Sequence, residues 1–355
     1  MNRPTEIRST TAPASHLISG QLLRIREFVL LAALVAICGA VALREPRFLQ
    51  VANLDQVALS ATLICIVAVG QALVIIARQI DLSVGAIVAM SAFVAAEWLS
   101  THPDGSIAIL FLIGCAIGIV MGAGNALLIA GFRIPAIVAT LGTLAMYRGA
   151  VLVYAGGRQI SATALPPRYE GIARAYVAGV PLLVWLALFI TIVVGLAARF
   201  TRVGRNLYAL GSNPDSARLL GISEARGVAT VFLLSGFLSG LVGVLWGARF
   251  GTVDAVIAPQ LNLQSISAAV VGGVSIFGGS GSVYGAAIGA VIFAVMQNGV
   301  QLLGISQFWL QAVVGLAILV TVFFYSAIAR RGERIQRESR RKRPQVAARP
   351  PVGQE

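Results

Sequence analysis

The chain has 355 residues, of which 57% are hydrophobic and only 12% charged, and its mean hydropathy is +0.86. A soluble domain is about 25% charged, so this composition excludes the soluble class, and continuous apolar runs exclude a β-barrel, whose strands alternate. The net charge of +13 is no nucleic-acid footprint either: Lys342 is the only lysine, nine basic residues follow Tyr325, and Arg3, Arg8, Arg24 and Arg26 precede the first apolar run. The class is an all-α polytopic membrane protein with no nucleic-acid partner.

Taken in order, residues 1–27 form a polar segment, and Glu6 and Glu27 within it argue against a cleavable signal peptide. Ten spans are predicted, at 28–43, 57–77, 82–100, 107–130, 135–154, 180–199, 228–248, 263–277, 283–301 and 306–327, which makes 28–327 the transmembrane region. Residues 328–355 form a basic tail, expected to be disordered and near anionic lipid headgroups. An even count returns both termini to one side. With that side cytoplasmic, inner segments carry twenty Arg or Lys and outer segments six, as the positive-inside rule requires.

Polar residues inside the apolar runs are the candidate functional groups. Asp81 and Ser83 interrupt the run R-Q-I-D-L-S-V-G at 78–85. Three readings stand: a helix cap opening the third span, an Arg78–Asp81 pair at a turn, and contact with a polar solute. Gln71, Asn125, Gln297 and Asn298 carry side chains able to donate and accept along a translocation pathway, or equally to bond helix to helix. Arg148 lies well inside the fifth span, where it either snorkels outward or pairs with a carboxylate. G-N-A-L-L-I-A-G (124–131) echoes Q-N-G-V-Q-L-L-G (297–304) five spans later, and an odd offset means an inverted repeat.

The 38 glycines suit close helix packing. G-G-S-G-S at 278–282 lacks the Lys-Ser/Thr of a phosphate-binding loop and reads as a helix break. Cys38, Cys65, Cys115, His16 and His102 are too scattered for a metal site. The long inner loop 200–227 contains N-P-D-S-A-R-L-L-G, a helix-start signal with Asn213 or Asp215 as cap, Pro214 in the first turn and Gly221 as stop.

G-R-N-L-Y-A-L-G-S-N-P-D-S-A-R-L-L-G-I (204–222) resembles the coupling loop of ribose-type sugar permeases, the membrane subunits of bacterial ABC importers. L-V-I-I-A-R-Q-I-D-L-S-V-G-A-I-V-A (73–89), the Gly-rich block at 267–290 and Q-N-G-V-Q-L-L-G-I (297–305) resemble the same family, over about residues 45–325. The resemblance implies a fold like type II ABC importers, with about ten helices in the bacterial inner membrane and cytoplasmic termini. It also implies two permease subunits, separate ATPase subunits that bind the ATP, a periplasmic sugar-binding protein, and no cofactor in this chain. It assigns ATPase coupling to Gly204, Arg205, Asn206, Gly211, Asn213, Ala217, Arg218, Gly221 and Ile222, with Ala217 and Ile222 filling the ATPase groove. Arg78 and Gln79 stand where the family usually has small residues, often Gly-Gly, and Gln71 where Met is common. The alternatives are a permease for branched-chain amino acids or nucleosides, and an ion-coupled secondary transporter.

Overall fold

The computed structural model describes residues 15–306 together with 309, 312 and 315. Of the tenth predicted span only residue 306 and those three positions are described, and the basic tail lies outside the described residues. Helix α1 (Ser15–Arg44) is followed by α2 (Val51–Ile76), α3 (Val84–Thr101), α4 (Ile107–Ala126) and α5 (Ala136–Ala155). A π turn at Leu127–Gly131 extends α4. Short α6 (Pro167–Arg174) and a hairpin pairing Tyr176–Val177 with Val180–Pro181 lead into α7 (Leu182–Phe200). The two-residue turn of that hairpin, Ala178 and Gly179, has positive φ at both positions, which matches the strand twist. Then come α8 (Arg202–Ser212), α9 (Pro214–Leu219), α10 (Glu224–Phe250), α11 (Leu261–Val271) and α12 (Val283–Leu302).

Seven of these helices are long and apolar enough to cross a membrane, with Phe28–Arg44 and Leu261–Val271 as shorter apolar helices. The eighth predicted span needs correction. It contains only α11, eleven residues and so about 16 Å, half a bilayer core. Gly273, at φ 91°, ends α11 in the left-handed region, and residues 272–282 run on without helix, so 278–282 is a break.

Helix α10 is the centre of the bundle and packs on α2, α3 and α4, while α2 packs on α10, α11 and α12. Likewise α3 packs on α4, and α11 on α12. Exchanging α2, α3 and α4 for α10, α11 and α12 leaves this pattern unchanged. Helices α2 and α10 run antiparallel, since Gly70 meets Ser235 and Leu238 while Ser60 meets Arg249. The same interval of sequence separates Asn125 from Asn298 and Asp81 from Asp254. Each aspartate follows a long helix and accepts the N–H two residues on: Asp81 from Ser83 at 2.9 Å, Asp254 from Val256 at 2.6 Å. These are the relations of an inverted repeat.

Small residues let α4 and α10 approach closely. A Cβ on Gly118 would lie 2.1 Å from the Gly236 carbonyl oxygen, and one on Gly236 2.2 Å from that of Gly118. Backbone-to-backbone approach of this kind replaces the hydrophobic drive that lipid does not supply.

Candidate functional site

Two ends of the bundle and its middle carry the polar groups. Helix α2 stops because Arg78 adopts φ 63°. Its N–H bonds the Ile75 carbonyl at 2.8 Å and the Gln79 N–H that of Val74 at 3.0 Å, a helix stop that usually places glycine where Arg78 stands. The departure from Gly at this position therefore puts an exposed arginine in a left-handed slot, at about 1–2 kcal/mol for an L-residue. Arg78 and Asp81 form no ion pair, which removes that reading.

The chain then climbs back into the bundle. Asp81 meets Ser235, eleven residues into α10 and so about 16 Å from its start. Asp81 and Ser83 are fully buried at this depth. The Ser83 N–H (2.9 Å) and hydroxyl (2.7 Å) donate to Asp81 Oδ1, and the Ser235 hydroxyl donates to Oδ2 at 2.9 Å. Asn125 Nδ2 of α4 donates to Ser83 Oγ at 2.8 Å. Three donors and the N-terminus of α3 satisfy the carboxylate, and among the described residues no cation pairs with it. The capping expectation thus holds in altered form: Asp81 accepts the N–H of Ser83, the residue before α3, and the Ser83 side chain caps nothing. The result is one polar knot tying α3, α4 and α10.

The other predicted pathway residues are dispersed. Gln71 is fully buried on α2, and neither its Oε1 nor its Nε2 has a hydrogen-bond partner. Asn298 exchanges hydrogen bonds with Asn53 (2.8 and 3.0 Å), clamping α12 to α2. Gln297 lines a cavity of about 430 Å³ between α2, α10, α11 and α12. Arg148 does not snorkel outward: its Nη1 donates to the carbonyls of Ala255 (2.9 Å) and Ile257 (3.1 Å), holding the segment ahead of α11, and the Asp254 carboxylate in that segment attracts it without forming a direct ion pair.

At the far end lie α8 and α9. Thr201 caps α8, and the Asn213 side chain caps α9 by accepting from the Ser216 N–H at 3.0 Å. Gly221, at φ 77°, stops α9. Arg205, Asn206 and Arg218 are exposed, with Arg218 facing Asp215 at 3.2 Å. Gly204 packs on the Ala198 backbone. Ala217 is 2% exposed and turned into its own chain, whereas Leu219 and Leu220 are 90% and 78% exposed and Ile222 is half-buried. The outward apolar face of α9 is therefore Leu219–Leu220 and excludes Ala217.

Three backbones meet beneath this loop. The Gly279 N–H donates to the Ile76 carbonyl, the last of α2, at 2.9 Å. A Cβ on Gly211 of α8 would lie 1.8 Å from that same oxygen and 2.4 Å from Gly279 N. Tyr208 donates to the Gly281 carbonyl at 3.1 Å, and burial raises its phenol above the ordinary range, keeping it a donor. A second cavity, about 370 Å³, separates Arg78 and Gln79 from Asp215, Arg218 and Glu224. Sequence reasoning missed α8 and this junction. Gly211 carried the only signal, as a match to the family loop.

Among curated proteins, the chain is 34% identical to the autoinducer 2 import system permease protein LsrC of Enterobacter sp. (strain 638) over 298 residues, 84% of this chain and 86% of that one. It is 33% identical to the ribose import permease protein RbsC of Haemophilus influenzae over 303 residues, 85% and 92% of the two chains. The Escherichia coli (strain K12) LsrC is 32% identical over 302 residues, 84% and 86%. No solved structure matches it. The family model for the permease component of branched-chain amino acid transport systems matches residues 53–322, and with its apolar helices the chain belongs to that family as a multi-pass membrane permease.

Proposed function

We propose that the chain forms one half of the translocation pathway of an ABC importer for a neutral sugar or sugar-like polyol in a bacterial inner membrane. The observation that carries this is 32–34% identity, along 84–85% of the chain, to import permeases for autoinducer 2 and ribose. A second permease subunit, either another copy or a related chain, supplies the other half. A periplasmic binding protein delivers the solute. ATP belongs to a separate ATPase subunit, in keeping with a glycine-rich 278–282 that lacks the phosphate-binding lysine. The twenty-to-six arginine and lysine distribution supports cytoplasmic termini.

Coupling runs through named contacts. Leu219 and Leu220 enter the ATPase cleft, with Arg205 and Arg218 at its rim and Gly221 and the Asn213 cap holding the shape of α9. Movement of α9 passes to α8, and through Gly211 to the end of α2 and the glycine loop. From Ile76 it reaches the broken segment 77–83 and the Asp81 knot, which holds α3, α4 and α10. Asp81, Ser83, Gln71 and Asn125 are fully buried in this conformation, so they meet solute only when α3 and α10 part. The unpaired Gln71 amide is consistent with such a second arrangement, because a buried amide without partners is costly by about 1–3 kcal/mol.

The description of the family model supports a second reading, a branched-chain amino acid as solute. Proteoliposomes carrying the permease with its ATPase, supplied with binding protein and either D-ribose or L-leucine, separate the two. ATP-dependent ribose uptake is expected. Uptake that proceeds without ATP or ATPase refutes the importer.

A further inference from the structure

The cavity at the end of α10 remote from α8 and α9 combines chemistry that the coupling route does not use. Three amides line it, from Gln260 and Gln264 at the start of α11 and Gln297 on α12. All three are half-buried, and none of their side chains makes a hydrogen bond to another described residue. Opposite them stands an aromatic wall. The Trp246 and Phe250 rings lie 4.8 Å apart at 41°, and the Arg249 guanidinium sits 4.7 Å over the Phe250 ring. Arg249 is held in place by donating to Ser60 Oγ at 2.6 Å and to the Gln56 carbonyl at 3.3 Å.

We infer that this cavity is a transit subsite for a neutral polyhydroxylated ring, which rests on the import reading above. Its volume of about 430 Å³ falls within the 300–1,000 Å³ usual for small-molecule pockets. A hydroxyl both donates and accepts, and so does each carboxamide, so three free amides match a run of hydroxyls without ion pairing. The indole of Trp246 offers a flat face to the C–H side of a ring, and Leu63, Ile64 and Leu261 add apolar floor. Among the described residues no carboxylate lines the cavity, so the ammonium of an amino acid finds no partner there, and the single cation among them, Arg249, already spends a nitrogen on Ser60 and Gln56. An importer fed by a binding protein requires release as much as binding, and a site of unpaired amides without charge complementarity provides weak, reversible contact.

The test is uptake by the complete importer in cells, offered D-ribose, D-xylose, L-rhamnose and L-leucine in turn, for wild type, Gln264→Leu/Gln297→Leu, Trp246→Leu and Gln264→Asn. The wild type is expected to accumulate at least one of the three sugars. The double variant and Trp246→Leu should lower the maximal uptake rate of that sugar at least 10-fold at equal amounts of protein in the membrane, and Gln264→Asn should recover most of it. A purely structural role is distinguished by Gln264→Cys in the intact complex: reaction with a membrane-impermeant thiol reagent, measured over the background of the native cysteines, should slow at least 3-fold when the sugar is present. Sugar uptake at the wild-type rate in the double variant, or labelling indifferent to the sugar, overturns the subsite while leaving the importer intact. Accumulation of L-leucine and of none of the sugars overturns the sugar reading and this ligand assignment together.

Discussion

Gly211→Ala tests the junction between the cytoplasmic loop and the bundle. The added methyl carbon would stand 1.8 Å from the Ile76 carbonyl oxygen and 2.4 Å from Gly279 N, and both are backbone atoms without rotamers to yield. Contacts shorter than 3.0 Å essentially do not occur, so Ile76 O must retreat by more than about 1 Å. That stretches the Gly279 N–H to Ile76 O bond, now 2.9 Å, past the range of a hydrogen bond. Losing this bond leaves the buried Ile76 carbonyl and the half-buried Gly279 N–H unpaired, about 1–3 kcal/mol, and overpacking adds about 1–3 kcal/mol. The purified permease should therefore unfold at least about 3 °C below wild type, and ATP-driven uptake per folded molecule should fall at least about 10-fold. Gly142→Ala is the control, because a Cβ there meets nothing within 4 Å. If Gly211→Ala unfolds and transports like Gly142→Ala, α8 does not bear on α2 as described and the coupling route is wrong.

Asp81→Asn keeps an oxygen to accept the Ser83 N–H but removes the charge. Folding should be lowered by about 1–2 kcal/mol, against about 3–5 kcal/mol for Asp81→Leu, which leaves Ser83 and Ser235 donors buried and unpaired. Thermal unfolding ranks the two, and wild-type uptake by Asp81→Asn rules out a charge-dependent role. Gly118→Leu places a side chain where a Cβ alone lies 2.1 Å from Gly236 O, so the protein should fail to accumulate as a monodisperse species in detergent; normal yield contradicts the α4–α10 contact. Arg148→Met strips the Ala255 and Ile257 carbonyls of their donor, and protease cleavage within 251–260 should become several-fold faster; an unchanged rate sinks the clamp. Leu219→Glu/Leu220→Glu alters only exposed positions, so stability should stay within about 0.5 kcal/mol while the ATPase no longer co-purifies; retained ATPase places the docking face elsewhere.

The helical membrane class, the break after Ile76 and the cap and stop of α9 were legible because each is a local property. Apolar length, a capping side chain and a left-handed stop act within a few residues of sequence. The same locality explains the errors. A hydropathy run at 263–277 reads as a crossing, yet Gly273 ends α11 after eleven residues. The Ala217 methyl reads as one more apolar residue on a short helix, and only packing onto the rest of the chain turns it inward and leaves Leu219 and Leu220 outside.

Composition and pattern thus determined by themselves that this chain lives in a membrane, where it breaks, and which residues are polar enough to matter. The tertiary structure decided what those residues face. It took the antiparallel crossing of α2 and α10 to bring Ser235 to Asp81, residues distant in the chain, and to set the free amides of α11 and α12 around one cavity. Hydrogen bonds and close backbone contacts are satisfied through space, and sequence spacing carries them only within a single turn or helix.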